Sequence, residues 1–311
     1  MRELDRIAIE DHGIDGFELM QKAARFAFHT LIKQWPTCKN IHVFCGSGNN
    51  AGDGYILAGI AIKRGLNVKL HYLSPPENLK NNAQLAYHYS QEANVSCQQF
   101  PCDSSSILST ESSFVIIDAM LGTGIHSEVT GQYKQAINLC NQSNAPILSI
   151  DIPSGLSANT GNPLGVAIKA QCTTTMIGLK QGMFTGSGRH YCGEILYDDL
   201  GITPDIFKQV PINGKKLNLY STLKLIKPRE TNTHKGHYGH VLLIGGDQGY
   251  GGAILMAAMA TAVLYIIVVA LVHKLILSIY SVSSGTTTVS PGFTSLLTSA
   301  ENQLPLCSNL I

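Results

Sequence analysis

The chain has 311 residues, 44% of them hydrophobic and 14% charged, which suffices for at least one full-sized core and excludes disorder for most of its length. Its 22 Lys and Arg against 21 Asp and Glu give a formal net charge of +1, so there is no electrostatic footprint for nucleic acid or an acidic membrane surface. Cys38, Cys45, Cys97, Cys102, Cys140, Cys172, Cys192 and Cys307 form no CxxC pair, which argues against a zinc site or disulfide framework and for a reducing, cytoplasmic setting.

Met1 to Glu10 is charged and helix-like, without the apolar core and cleavage site of a secretory signal. Apolar residues at helical spacing from Met1 to Lys33 predict two helices broken at Gly13 to Gly16. A short apolar strand follows at 41–45, then a helix from Asp53 to Arg64, a strand at 67–73 and a helix from Leu79 to Glu92. Strand, helix, strand recur at 113–120, Tyr133 to Gln142 and 145–152. Continuous apolar strands alternating with helices describe an α/β fold, a Rossmann-like three-layer α/β/α sandwich around a mostly parallel sheet. Ligands of such sheets bind at the carboxyl ends of the strands.

Three strand ends carry polar, Gly-rich turns. Gly46-Ser-Gly-Asn49-Asn50-Ala-Gly-Asp53-Gly54 satisfies a relaxed dinucleotide fingerprint, and its glycines would let backbone approach a phosphate or sugar. A redox-cofactor site should place a carboxylate at the end of the next strand, yet Asn67 to Leu73 has none, which disfavours a nicotinamide dehydrogenase. The second turn is Asp118-Ala-Met-Leu-Gly122-Thr123-Gly124, and the third is Ser149-Ile-Asp151-Ile-Pro153-Ser154-Gly155. Each alone is also readable as an ordinary capped turn. Together they should converge on one crevice.

With these motifs in order, the sequence resembles NAD(P)H-hydrate epimerase, the amino-terminal half of bifunctional NAD(P)H-hydrate repair enzymes. The likeness runs from about Arg2 to Ile202 through GSGNNAGDG, DAMLGTGI, DIPSGLSANTG and IGLKQGMFTGSGRHYCGEILYDDLGI. It implies that the hydrated nucleotide contacts Asn49, Asn50, Asp53, the turn Gly122, Thr123, Gly124, Ile125, His126, Ser127 and Glu128, and Asp151. It also implies K+ as cofactor, held by Asn50, Asp118 and Ser154, an all-oxygen set suited to a hard cation. Ala51 and Gln171 stand where the family commonly has Gly and Asp. A homodimer is among the states the resemblance allows.

The implied substrate is NADH or NADPH hydrated at C6 of the nicotinamide ring. Expelling the hydroxyl with help from the ring nitrogen gives a planar iminium, and water re-adding from the opposite face converts the R to the S form. Asp151 is the expected proton donor and acceptor, with Lys180 orienting the ligand or tuning that carboxyl.

All but two of the charged residues, Lys274 and Glu301, precede Gly251. From Thr233 the chain resembles the opening of an ADP-dependent NAD(P)H-hydrate dehydratase domain of ribokinase-like fold, and that likeness stops near Ala262. The expected division is therefore 1–222 as the epimerase domain, 223–262 as a truncated, incomplete ribokinase-like fragment, and 263–311 as an aberrant apolar and Ser/Thr-rich tail from a frameshift or premature end. Dehydratase activity is expected to be absent. Gly251 to Val272 is long enough to span a bilayer if helical, but in this context it reads as part of the tail and not as an anchor. His237 and His240 read as part of a strand-entry loop. The alternative to an epimerase is a non-catalytic nucleotide-binding module.

Overall fold

The computed structural model describes residues 2–101 and 114–211, together with 214, 216, 219–220, 224, 242–243 and 251–262. It separates into two units, Met1–Leu217 and Asn218–Ile311. His237, His240 and the tail after 262 lie outside the described residues. Among the described residues no helix is long and apolar enough to cross a membrane.

The first unit is a seven-stranded, wholly parallel sheet. Its strands are β1 (Asn40–Cys45), β2 (Asn67–Tyr72), β3 (Ser96–Gln99), β4 (Val115–Ala119), β5 (Ile147–Ile150), β6 (Cys172–Met176) and β7 (Glu194–Asp198). The helices are α1 (Arg2–Arg6), running into a π-helical turn at Ile7–Asp11, then α2 (Gly16–Gln34), α3 (Asn49–Lys63), α4 (Asn81–Glu92), α5 (Gly131–Gln142), α6 (Gly188–Cys192) and α7 (Pro204–Lys208). The amino-terminal helices break at 12–15 as the spacing predicts, and Asp15 caps α2 by accepting from the Phe17 N–H at 2.8 Å.

Strand order is β3-β2-β1-β4-β5-β6-β7. The chain builds outward from β1 to β3 and then returns to place β4 on the other side of β1, which makes the β1/β4 boundary the topological switch point. Alternation along each strand fills both faces. Ile41, Val43 and Cys45 of β1, with Val115, Ile117 and Ala119 of β4, join the core under α2, α3 and α4. Phe44, Ile116 and Ile147 point the other way, into the core with Ala136, Ile137 and Cys140 of α5. These are the three layers expected from the sequence.

The sequence reading places the helix after β1 at Asp53, and the structure starts α3 four residues earlier. Gly48 takes the N-cap position, so Asn49 and Asn50 form the first helical turn instead of a loop. The glycines of this segment also differ in role from the expected approach to a phosphate. A Cβ on Gly46 would collide with the Met120 carbonyl oxygen, one on Gly52 would press on Met20, and one on Gly54 would press on Ala119 and Cys45. Only Gly48 faces open space. Gly46 is thus a packing residue that clasps the ends of β1 and β4 together.

Candidate active site

The three polar turns leave β1, β4 and β5, which are neighbours in the sheet, so their carboxyl ends stand side by side at the switch point. Asp118 lies on β4 with Ile116, on the α5 face, and is completely buried. It survives there because donors surround it. Oδ1 accepts from the Ser154 hydroxyl at 2.5 Å, and Oδ2 accepts from the Ser149 hydroxyl at 2.7 Å and the Ser154 N–H at 2.9 Å. Burial pushes the Asp118 carboxyl up from its ordinary range, and the bonds from Ser154 and Ser149 oppose that push. Leu121 closes the turn, its N–H donating to the Ser154 Oγ at 2.8 Å.

Asn50 is buried at 8% exposure, and neither its amide nitrogen nor its amide oxygen has a hydrogen-bond partner among the described residues. Its Cβ lies 3.4 Å from the point where a side chain on Gly122 would begin, and Asp151 Oδ2 lies 3.8 Å from the same point. Gly122 therefore leaves open a small space bordered by Asn50 and Asp151. The remainder of the 122–128 turn is not drawn in to the same degree: Gly124, His126, Ser127 and Glu128 are exposed, and Thr123 and Ile125 are partly so. Asn49 is exposed and lines a separate cleft of about 850 Å³ beside the cluster, between the starts of α3 and α4, with Ser47, Ser74 and Lys80.

At the end of β5, Asp151 has φ of 67°. The Ile152 N–H donates back to the Ile150 carbonyl at 2.8 Å, so Asp151 is the centre of a γ-turn in the sparsely populated left-handed region. The adjacent strand ends the same way: Ile177 has φ of 63°, and the Gly178 N–H donates to the Met176 carbonyl at 2.6 Å. After this second turn the chain folds back and inserts Lys180, which is 4% exposed and not a solvent-facing lysine. Its ammonium pairs with Asp151, donates to the Thr175 hydroxyl at 2.7 Å and reaches the Met176 carbonyl at 3.3 Å.

Asp53, buried at 8% exposure, has its carboxyl pushed well above the ordinary range, first by burial and then by the charge of Asp151. Asp5 of α1 is raised in the same way by burial and by Asp151. Sequence reasoning missed Asp5, Ser149 and Thr175. For Thr175 the available signal was the run Thr173, Thr174, Thr175, three polar residues in succession that the sheet buries completely. Gln171, one of the departures from the family pattern, sits at the opposite end of β6, where its side-chain carbonyl accepts from the Ile147 N–H at 2.6 Å. Gln171 therefore bears on the start of β5 and not on the cluster.

The sequence profile of YjeF-related protein N-terminus matches residues 16–182, more than half of the chain. The chain belongs to this family. Among curated relatives, the "Bifunctional NAD(P)H-hydrate repair enzyme Nnr" of Coxiella burnetii is 39% identical over 84% of this chain and 52% of its own length. The proteins of that name from Vibrio cholerae and Escherichia coli are 38% and 36% identical, with 52% and 49% of their lengths covered. The chain thus spans about half the length of the curated relatives it matches. The crystal structure of yeast ynu0 (YNL200c) superposes with a TM-score of 0.59 at 19% identity, over 67% of this chain and 89% of that one, and shares the fold.

Proposed function

We propose that the chain is an epimerase that interconverts the R and S forms of hydrated NADH and NADPH, as part of nicotinamide nucleotide repair. The observation that carries this reading is the ion pair of the buried Lys180 with the partly buried Asp151 beside the space left by Gly122, at the switch point of a sheet in a YjeF-family chain. The residues supply what the reaction needs. A carboxylate fixed by a γ-turn and an ammonium can take a proton from water, and buried walls limit solvent at the reacting carbon. The 850 Å³ cleft lined by Asn49 is of a size for the adenylate portion of the nucleotide. Lys180 uses its three donors on Asp151, Thr175 and Met176, which gives it the part of holding Asp151 in place.

The test is incubation of the full chain with a mixture of the two epimers, followed by proton NMR. Equilibration of an enriched R sample is the expected result. Binding of NADPH without any interconversion would replace this reading by the nucleotide-binding module.

Potassium belongs to this proposal as well. Asn50 offers a buried amide oxygen that bonds to nothing among the described residues, and Asp118 is a buried carboxylate whose recorded partners there are neutral donors. With Ser154 these are oxygen donors of modest total charge, which fits a monovalent hard cation. Bound there, the ion would offset the charge of Asp118 and fix the Asn50 amide at the edge of the substrate space. Replacing tetramethylammonium by potassium at constant ionic strength is expected to stabilise the chain by about 1–3 kcal/mol at saturation, read as a rise in the unfolding midpoint. Asn50→Ala should remove that rise, and an equal midpoint in the two salts would count against the site.

A further inference from the structure

Inversion at C6 poses a geometric problem that one carboxyl does not solve. The C6–O bond breaks with its electron pair on oxygen, the nitrogen lone pair forms the C=N bond, and a proton must reach the departing oxygen for it to leave as water. In the return step a water oxygen bonds C6 from the opposite face, the C=N pair goes back to nitrogen, and a proton leaves that oxygen. A carboxyl held on one side of a planar iminium reaches only one of these two oxygens.

The structure offers a second carboxyl. Asp53 follows Asn50 by three residues on α3, which puts both on one face of the helix. Asn50 and Asp151 border the same space at Gly122. Asp53 is nine-tenths buried, and its carboxylate has no hydrogen-bond partner recorded among the described residues, whereas Asp151 is ion-paired. Resting on the epimerase reading above, we propose that Asp53 and Asp151 serve opposite faces of C6, one donating the proton to the departing hydroxyl and the other accepting it from the incoming water. In the reverse direction the two exchange roles, and a proton passing through solvent from one carboxyl to the other resets the site.

The titratable groups around Asp53 agree with this division. Asp151, Asp5 and Lys180 act on it, and the buried thiol of Cys45 on β1 is affected by it in turn. Burial first, and then the charge of Asp151, push the Asp53 carboxyl above its ordinary range, in the direction that suits a proton donor.

Asp53→Asn is the decisive variant, compared with Asp151→Asn in the full chain. Each purified epimer is incubated in oxygen-18 water, and inversion and label uptake are followed separately. Inversion by Asp53→Asn should fall at least about 100-fold in kcat. Label should still enter one epimer without inversion, on the face that Asp151 serves, and Asp151→Asn should label only the other. A kcat within threefold of the parent with a raised KM would reduce Asp53 to a binding residue and overturn the assignment, as would uptake that is lost or kept equally in both epimers. Asp53→Ser gives the same expected pattern and replaces the Asn variant if that one melts early. Absence of interconversion by the parent chain would overturn the epimerase reading and this assignment together, whereas an active parent with an unaffected Asp53→Asn overturns this assignment alone.

Discussion

Asp151→Asn is expected to slow the proposed interconversion by roughly 10²–10⁴-fold, the range for loss of a positioned acid or base, and to destabilise the fold at the same time. The second effect arises at Lys180, whose side chain is only 2% exposed. Without the carboxylate, the ammonium keeps the Thr175 hydroxyl and the Met176 carbonyl but loses the carboxylate it is ion-paired with. Leaving one partner of a buried ion pair uncompensated costs about 3–5 kcal/mol. Pairing the change with Lys180→Met should restore most of the stability and none of the rate. Denaturant unfolding of the single and double variants measures the first, and the epimer assay the second. A single variant as stable as the parent would show that Lys180 finds water or another partner.

Acid should unfold the chain in a way that depends on His71. This ring lies inside the sheet, 3.0 Å from the Nδ1 of His42 through its Nε2 and 3.0 Å from Gln98 through its Nδ1, and it stacks on Phe44. Burial, then His42 and Lys69, push it down to about 3 from the free value of 6.5. Between those two pH values the unfolded chain binds a proton that the folded chain refuses. The contribution of His71 is therefore complete above pH 6.5 and drains away as the pH falls toward 3. At about 1.4 kcal/mol per pH unit the total is on the order of 4–5 kcal/mol. Buried carboxyls such as Asp53, held above their ordinary range, act in the opposite sense, so the informative quantity is the difference between parent and His71→Gln. The variant should lose less stability than the parent from pH 6.5 down to pH 3, and parallel curves would refute the assignment.

The architecture was legible in the sequence because the central strands are continuous apolar runs closed by abrupt polar turns. IHVFC, VIIDA and ILSI announce both their burial and their ends. Edge elements did not announce themselves. β3 is SCQQ, polar and half-solvated, and it becomes a strand only because β2 offers it a ladder. The start of α3 was misplaced because Asn and Gly are turn formers locally, and the packing of Gly52 and Gly54 against Met20, Ala119 and Cys45 is a long-range contact. Lys180 posed the same difficulty more sharply. Nothing in its neighbours tells that it is buried, since the carboxylate that makes burial tolerable lies 29 residues earlier. Asp118 and Ser154, 36 residues apart, were placed together by resemblance, and the hydrogen bonds between them support that grouping.

The turn at Ile177 carries a consequence for protein engineering. A β-branched side chain in the left-handed region is held against its own preference by about 1–3 kcal/mol. Consensus or computational redesign for heat tolerance would select glycine or asparagine there. The same turn aims Lys180 at Asp151, so a hardened scaffold would gain durability at the point where the proposed turnover is most easily blunted.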